Sequence, residues 1–383
     1  MKAIATSIAA VLVPAAALIP TAALSQARPE VFKIGEIAPL SGPAATVGTR
    51  LHQVSSMWAE EVNRRGGIRG KRVEISTCND EGRPEKAVTC ARDLVAQGSV
   101  LLINNSLTAS IQATLPVVAA KGPVMIVPSP NIAPSADTFV FQVSPSDFHI
   151  TKALAAYAKA NKVQRIGMVA ATDSSGEVGI TNAQKVFSTE GIELRTARID
   201  LRSTDASSQL ASVATADTKL IFSSYSGAGA ATVVKSYSNL DLKQPLIVSY
   251  ANLSAPFIAT VKDMMPSRLL ATGIAAIVPA EVRDTASRER ATAFAKAYQD
   301  KYRELPDMLN YLGKLNVDTV EAVLTNVKQP EDARAVRDFL QSTPIKSVQT
   351  LQFSKTSNVG LTEKDVIIVE WKQGTWVKAD PIK

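Results

Sequence analysis

Histidine is almost missing from this chain: His52 and His149 are the only two among 383 residues. They lie far apart, and neither stands at metal-ligand spacing from a cysteine or another histidine, so both are expected at the surface or packed rather than as ligands. No Gly-x-Ser-x-Gly elbow, no phosphate-binding loop and no cysteine in a nucleophile's setting occurs, which leaves an enzyme without a base–nucleophile pair. Asp80-Glu81 follows a strand, but an adjacent acidic pair is more often solvated than catalytic. Aromatic residues make up 5 % of the chain, and the net charge of +7 is spread thinly, without a run of basic residues. Basic patches interleaved with aromatics are absent, so nucleic acid is not an expected partner. A mild excess of positive charge needs no acidic partner to explain it. Neither a metal nor a cofactor is expected.

Long apolar runs are missing too, except at the start. Lys2 is the only charge in the first 27 residues, an apolar stretch runs from Ile8 to Leu24, and Ser25-Gln26-Ala27 places small residues where a signal peptidase reads. Pro14 and Pro20 interrupt the stretch and disfavour a retained membrane helix. Residues 1–27 therefore read as a signal peptide cleaved after Ala27, and no cysteine marks a lipid anchor. The mature chain is expected to be soluble and periplasmic. At about 350 residues it exceeds what one hydrophobic core usually serves, so two lobes are expected. Two cysteines remain, Cys78 at the end of a strand and Cys90 in the following helix. In an oxidising compartment they suit one disulfide; two buried thiols are the alternative.

The chain is organised around Ile34–Gly48, a β-branched apolar run that ends in the turn Ser41-Gly42-Pro43. The residues from Gly48 to Asn63 then place Leu51, Val54, Trp58 and Val62 on one helical face. A strand that hands over to a helix through such a turn makes a polar crevice at its carboxyl end, where open α/β sheets bind ligands. From there short apolar strands (31–37, 72–78, 99–103, 123–127, 138–142) alternate with helices (49–64, 84–96, 109–120). The grammar restarts with a helix at 150–161, a strand at 165–170 and a helix at 179–190. Strands at 192–199, 218–223 and 245–249 follow, with helices at 205–215 and 228–239. This order predicts an α/β fold of two doubly wound parallel-sheet lobes. No sequence repeat links the lobes, only the order of elements. After Gly273–Pro279 the chain turns helical (288–302, 316–327, 330–340), and two late strands, 349–354 and 366–371, complete it.

Four stretches together resemble one family: Ile34–Gly48; Val62–Gly70 with Asp80 after the next strand; Gly122–Ser129; and Phe141-Gln142-Val143-Ser144-Pro145-Ser146-Asp147. Weaker echoes run through Asp173–Gly176 and Phe294–Tyr302. In order and spacing they resemble the periplasmic solute-binding proteins of the branched-chain amino acid (Leu/Ile/Val-binding) type, the receptors of ABC importers. The resemblance implies a type I periplasmic binding fold whose lobes are joined by a three-crossover hinge and close on a ligand. Crossings are expected near Gln142–Phe148, Gly273–Pro279 and 345–356. Lobe 1 would then comprise 28–144 plus 276–348, and lobe 2 would comprise 145–275 plus 349–383. It implies a non-enzymatic, monomeric receptor whose partners are a small-molecule ligand and a membrane permease. A periplasmic sensor would use the same cleft.

The resemblance also implies where a ligand's carboxylate would sit. The matching turn is Asn104-Asn105-Ser106-Leu107-Thr108, with Thr108 at the carboxylate-binding hydroxyl and Ser129 and Asn131 at the other two positions of that lobe. A helix starting after Thr108 offers free N–H groups; helix capping by Thr108 uses the same atoms. In the second lobe the family's ammonium-pairing acid is replaced by Tyr250, and Ser175 stands where relatives often carry an aromatic. Tyr225, after a predicted strand, is either a ring over the ligand or a core residue. Tyr311 is a weaker candidate from the returning segment. With no acid at position 250, the expected ligand is a carboxylate-bearing organic solute, aromatic or a 2-oxo acid. A branched-chain or other amino acid is the alternative, with Asp173 or Glu177 taking the ammonium, although both residues suit helix capping or solvent better.

Overall fold

The computed structural model describes residues 30–382 apart from Leu201, Ser226 and Gly227. The leader expected over residues 1–27 lies outside the described residues. In chain order the first half of the fold is β1 (Val31–Ala38), α1 (Ala45–Arg64), β2 (Arg72–Asn79), α2 (Pro84–Ala96), β3 (Leu101–Asn104), α3 (Thr108–Val118), β4 (Val124–Val127) and β5 (Val140–Pro145). Then come α4 (Asp147–Ala160), β6 (Arg165–Ala171), α5 (Ser174–Thr189), β7 (Glu193–Ile199), α6 (Ser207–Val213), β8 (Leu220–Ser223), α7 (Ala228–Asn239), β9 (Leu246–Val248), α8 (Ala255–Val261) and β10 (Leu269–Ile274). The rest is α9 (Thr285–Tyr302), α10 (Met308–Asn326), α11 (Ala333–Ser342), β11 (Val359–Leu361), β12 (Val366–Lys372) and β13 (Thr375–Lys378).

Two sheets result, ordered β11-β5-β4-β3-β1-β2 and β13-β12-β10-β9-β8-β6-β7. The first is parallel throughout. The second is parallel from β7 to β10, and its far edge is the antiparallel hairpin β12–β13. Helices cover both faces, so the central strands carry no polar face: every residue of β3, β4 and β5 is buried. The apolar spacing of α1 is used as expected, with Leu51, Val54, Trp58 and Val62 buried. Gly48 is required there. A Cβ at this position would stand 2.2 Å from the Pro39 carbonyl oxygen, so only glycine lets α1 start so close to the end of β1.

Both lobes repeat one strand order, β2-β1-β3-β4-β5 and β7-β6-β8-β9-β10. The order reverses between β1 and β3 and again between β6 and β8, which opens a crevice at the carboxyl ends of those strands in each lobe. α3 of the first lobe and α5 of the second approach one another across the space between them.

The chain crosses between sheets three times: at Ser146 after β5, after β10, and between β11 and β12. The third crossing differs from the expected one. No strand forms at 349–354, and the chain returns to the first sheet at β11 before leaving through Thr362–Asp365, so 349–361 belongs with the first lobe. Leu351 and Phe353 do alternate inward, as a strand would. Their backbone instead folds back on itself through the isolated bridges Ile345–Leu351 and Ser354–Ser357. Gln142 N–H donates to the carbonyl of Asn358, just before β11 (2.9 Å).

Candidate functional site

The crevice of the first lobe rests on a buried polar network. Glu36, in the middle of β1, is fully buried and accepts from Asn105 Nδ2 (2.8 Å) and Thr77 Oγ1 (2.9 Å). His52 Nδ1 lies 2.6 Å from the same carboxylate. That hydrogen bond raises the His52 pKa against the opposing effect of burial. Asn105 also accepts from Asn316 of α10 (2.9 Å), and its own N–H donates to Ile37 (2.8 Å). Asp80, expected in solvent, is buried: it accepts from the Ser106 hydroxyl and from Gly82 N–H (3.2 Å). Glu81 turns outward and pairs with Lys86 (2.6 Å). Asn104, Asn105 and Ser106 therefore spend their side chains on holding the β3–α3 turn in place, and Ser106 does not present a free hydroxyl.

Thr108 is the first residue of α3, and Leu107 is the N-cap. Leu107 cannot cap with its side chain, no side-chain cap bond forms, and the residue is exposed. The first turn of α3 thus keeps unsatisfied N–H groups and the positive end of its dipole. Thr108 does not cap the helix: its Oγ1 lies 3.0 Å from Ser129 Oγ at the end of β4. The structure brings these two expected hydroxyls together beside the helix N-terminus, an arrangement suited to a carboxylate. Asn131 follows Ser129, and its Oδ1 is buried without a donor.

The second lobe treats its expected residues differently. Ser175 donates to Asp173 Oδ1 (2.7 Å), and Asp173 caps α5 through Gly176 N–H (2.9 Å). Glu177 is exposed and pairs with Arg198 (2.6 Å). Glu177 is thus paired with a cation, while Asp173 caps α5 through one oxygen with neutral donors. Tyr225 is 2 % exposed, and its hydroxyl donates to the Asp200 carbonyl (3.1 Å). Its ring lies on α7 where Gly229 leaves room, since a Cβ there would come within 1.1 Å of it. Of the two readings of Tyr225, the core residue is the one observed. Tyr311 is likewise core, 2 % exposed and edge-on to Phe294 with centroids 5.4 Å apart.

Tyr250 opens a short 3-10 turn after β9. With Pro130, Ser144, Thr272, Ile274 and Met308 it lines a hinge cavity of about 10 Å³, room for about one water. Residues of both lobes meet here, and Met308 N–H donates across to Leu253 (3.2 Å). Burial raises the Tyr250 pKa, and the carboxylate of Asp147 raises it further. Asp147 was expected only as part of a motif. It stands directly after the first crossing, its N–H donates to the Pro130 carbonyl (2.9 Å), and its Oδ2 accepts from Asn182 of α5 (2.9 Å). Burial raises its pKa, with the Asn182 bond opposing. Its sequence signal was the N-cap Ser146 before it, which marks a helix start and says nothing of what the next side chain faces. His149 is packed: burial lowers its pKa, and its Nδ1 is buried without a partner.

Cys78 and Cys90 form a disulfide with Cα atoms 5.6 Å apart, tying the end of β2 to α2. Among the described residues no group of three or more His, Cys, Asp or Glu side chains could hold a metal ion. No described helix is long and apolar enough to cross a membrane.

The family model for periplasmic binding proteins matches residues 31–375. A Leu/Ile/Val-binding protein homolog of Brucella melitensis is 26 % identical over 162 residues, which is 41 % of this chain and 44 % of that protein. The chain thus matches less than half the length of that relative. Among solved structures, an extracellular ligand-binding receptor from Rhodopseudomonas palustris HaA2 superposes with a TM-score of 0.79 at 19 % identity, covering 92 % of this chain and 100 % of that one. An ABC transporter solute-binding protein of R. palustris, solved with benzoate, gives 0.74 at 19 % identity over 91 % and 95 %. With two lobes, a repeated strand order and a match over nearly the whole described chain, this protein belongs to the periplasmic binding protein family and has the type I fold of its Leu/Ile/Val-binding members.

Proposed function

We propose that this protein is the extracytoplasmic receptor of an ABC importer. In this reading it binds a small carboxylate-bearing solute between its lobes and presents it to the membrane permease. It acts as a monomer in the periplasm after cleavage at Ala27 and catalyses nothing. The carrying observation is the Thr108–Ser129 hydroxyl pair, 3.0 Å apart, at the uncapped N-terminus of α3. Two hydroxyls and free N–H groups at a positive helix end complement a carboxylate without a charged side chain. Closure of the second lobe would bury the solute and create the shape that a permease reads.

For the rest of the solute, Tyr250 in place of an acid favours a 2-oxo or aromatic acid, and one structural neighbour was solved with benzoate. An amino acid is the second reading. The observation that favours it is the Asp147 carboxylate at the first crossing between the lobes, whose hydrogen bond is to the neutral amide of Asn182 (2.9 Å) and whose charge adds to burial in raising the Tyr250 pKa. A thermal-shift screen of amino acids, aliphatic acids and aromatic acids tests the proposal. A cognate acid at a hundred times its dissociation constant stabilises by about 2.7 kcal/mol. Response only to uncharged or purely cationic compounds would contradict it.

A further inference from the structure

Two buried carboxylates lie beneath the turn at the start of α3. Glu36 accepts from the Asn105 amide (2.8 Å) and Asp80 from the Ser106 hydroxyl, so each is bonded directly to a residue of that turn. Both side chains are fully buried. Among the described residues neither forms an ion pair with a lysine or arginine. The cations of the neighbouring elements are committed elsewhere. On α2, Lys86 pairs with Glu81 and Arg83 with Glu85. On α1, Arg50 pairs with Glu304 and Asp307, and on α10 Lys314 pairs with Asp318. Negative charge held in a poorly polarisable interior acts strongly on a second anion nearby. An anion arriving at the start of α3 therefore meets a floor of its own sign.

One group bonded to that floor changes its charge near neutral pH. His52 Nδ1 lies 2.6 Å from Glu36 Oε2, and its Nε2 lies 3.2 Å from Ser56 Oγ on the same helix. The His52 side chain is 32 % exposed, so protons reach it from solvent. Among the described residues Glu36 is the one charge that acts on it. The other elements packed around the pair give Glu36 and Asn105 neutral partners, Thr77 from β2 and Asn316 from α10. Neutral imidazole keeps an Nδ1–H for Glu36. Gain or loss of the second proton thus alters the charge beneath the turn and leaves its hydrogen bonds in place.

We propose that His52 is the counter-charge for the solute's carboxylate, acting through Glu36 and Asn105, and that solute binding draws a proton onto its ring. This rests on the reading that the carboxylate is held at the start of α3. His52 is then a positioning residue: it balances the floor of the site without touching the solute. The hydrogen bond to Glu36 already raises the His52 pKa against the opposing effect of burial, and the solute's charge raises it further. Affinity is therefore highest below about pH 6.5 and falls as pH rises through the raised value.

The test is calorimetric titration of the mature protein with leucine, 4-methyl-2-oxopentanoate and benzoate, run in MOPS and in Tris at equal pH above about 6.5. These carboxylates stay ionised throughout. The two buffers differ in ionisation enthalpy, so a proton taken up on binding appears as a difference in heat. The wild type takes up part of a proton with whichever carboxylate binds, and its affinity falls about five- to tenfold as pH rises above about 6.5. In His52→Gln, its fold checked by thermal denaturation, the uptake and the fall both disappear. A merely structural His52 would lower affinity equally at every pH. Binding by the wild type without proton uptake, or uptake undiminished in the variant, overturns the assignment; the wild-type result decides even if the variant fails to fold. Binding of no carboxylate at all overturns the reading beneath it as well.

Discussion

Replacing the Thr108 hydroxyl with a methyl group leaves the shape of the α3 start unchanged and removes one of two hydroxyls beside the uncapped turn. Loss of a hydrogen bond to a charged group costs about 1.5–3 kcal/mol of affinity. Thr108→Val is therefore expected to bind a cognate acid roughly ten- to a hundredfold more weakly, with an unchanged melting temperature, as calorimetry and thermal denaturation would show. His52 carries a separate prediction. Its hydrogen bond to the buried Glu36 raises its pKa above 6.5. A protonated imidazole thus stabilises the fold fully below about pH 6.5, and that stabilisation is lost as pH rises through the raised value. His52→Gln should flatten the fall in melting temperature as pH rises above about 6.5; an unaltered slope would show that the pair contributes nothing. At this scale the sequence was partly legible. Thr108 and Ser129 meet as counted from the motif, because strand ends fix them. Ser106 and Asp80 were not legible, since each is decided by the other across 26 residues, and Tyr225 was not, since its hydroxyl is taken by Asp200, 25 residues away.

The strand–helix units were legible wherever an apolar period persisted. α2 spans Pro84–Ala96 as the spacing predicts, and α1 and α10 extend N-terminally beyond their apolar periods to begin at turns. Short elements escaped notice: β11 has three residues, and β10 interrupts its apolar run with Thr272 and Gly273. The alternation of Leu351 and Phe353 was a true burial pattern without a strand neighbour, which the period alone cannot distinguish. The disulfide belongs to this scale, because it fastens β2 to α2 across a separation of 12 residues. A closed loop of that size stabilises by about 3 kcal/mol, so reduction should lower the denaturation midpoint accordingly. Intact-mass analysis after alkylation without reductant should find no labelled cysteine; two labels would refute the bridge in the exported protein.

At the scale of the molecule, three crossings join two lobes that share a strand order but no detectable sequence repeat. The first two crossings, after β5 and after β10, could be placed from the resemblance. The third could not, because 343–361 is held by turns, single bridges and the edge contact of Phe353 with Phe141, 5.1 Å between centroids. The arrangement predicts hinge closure. Small-angle scattering should show the protein contracting on saturation with a cognate acid, and an unchanged scattering profile would mean that the solute binds without bringing the lobes together. The proposed function requires a carboxylate held at the start of α3. Calorimetric titration of the wild type with the tightest acid from the screen and with its methyl ester tests this most directly. The acid should bind and the ester should fail to, since the ester brings no charge to the helix end. An ester that binds as tightly as its acid would contradict the assignment.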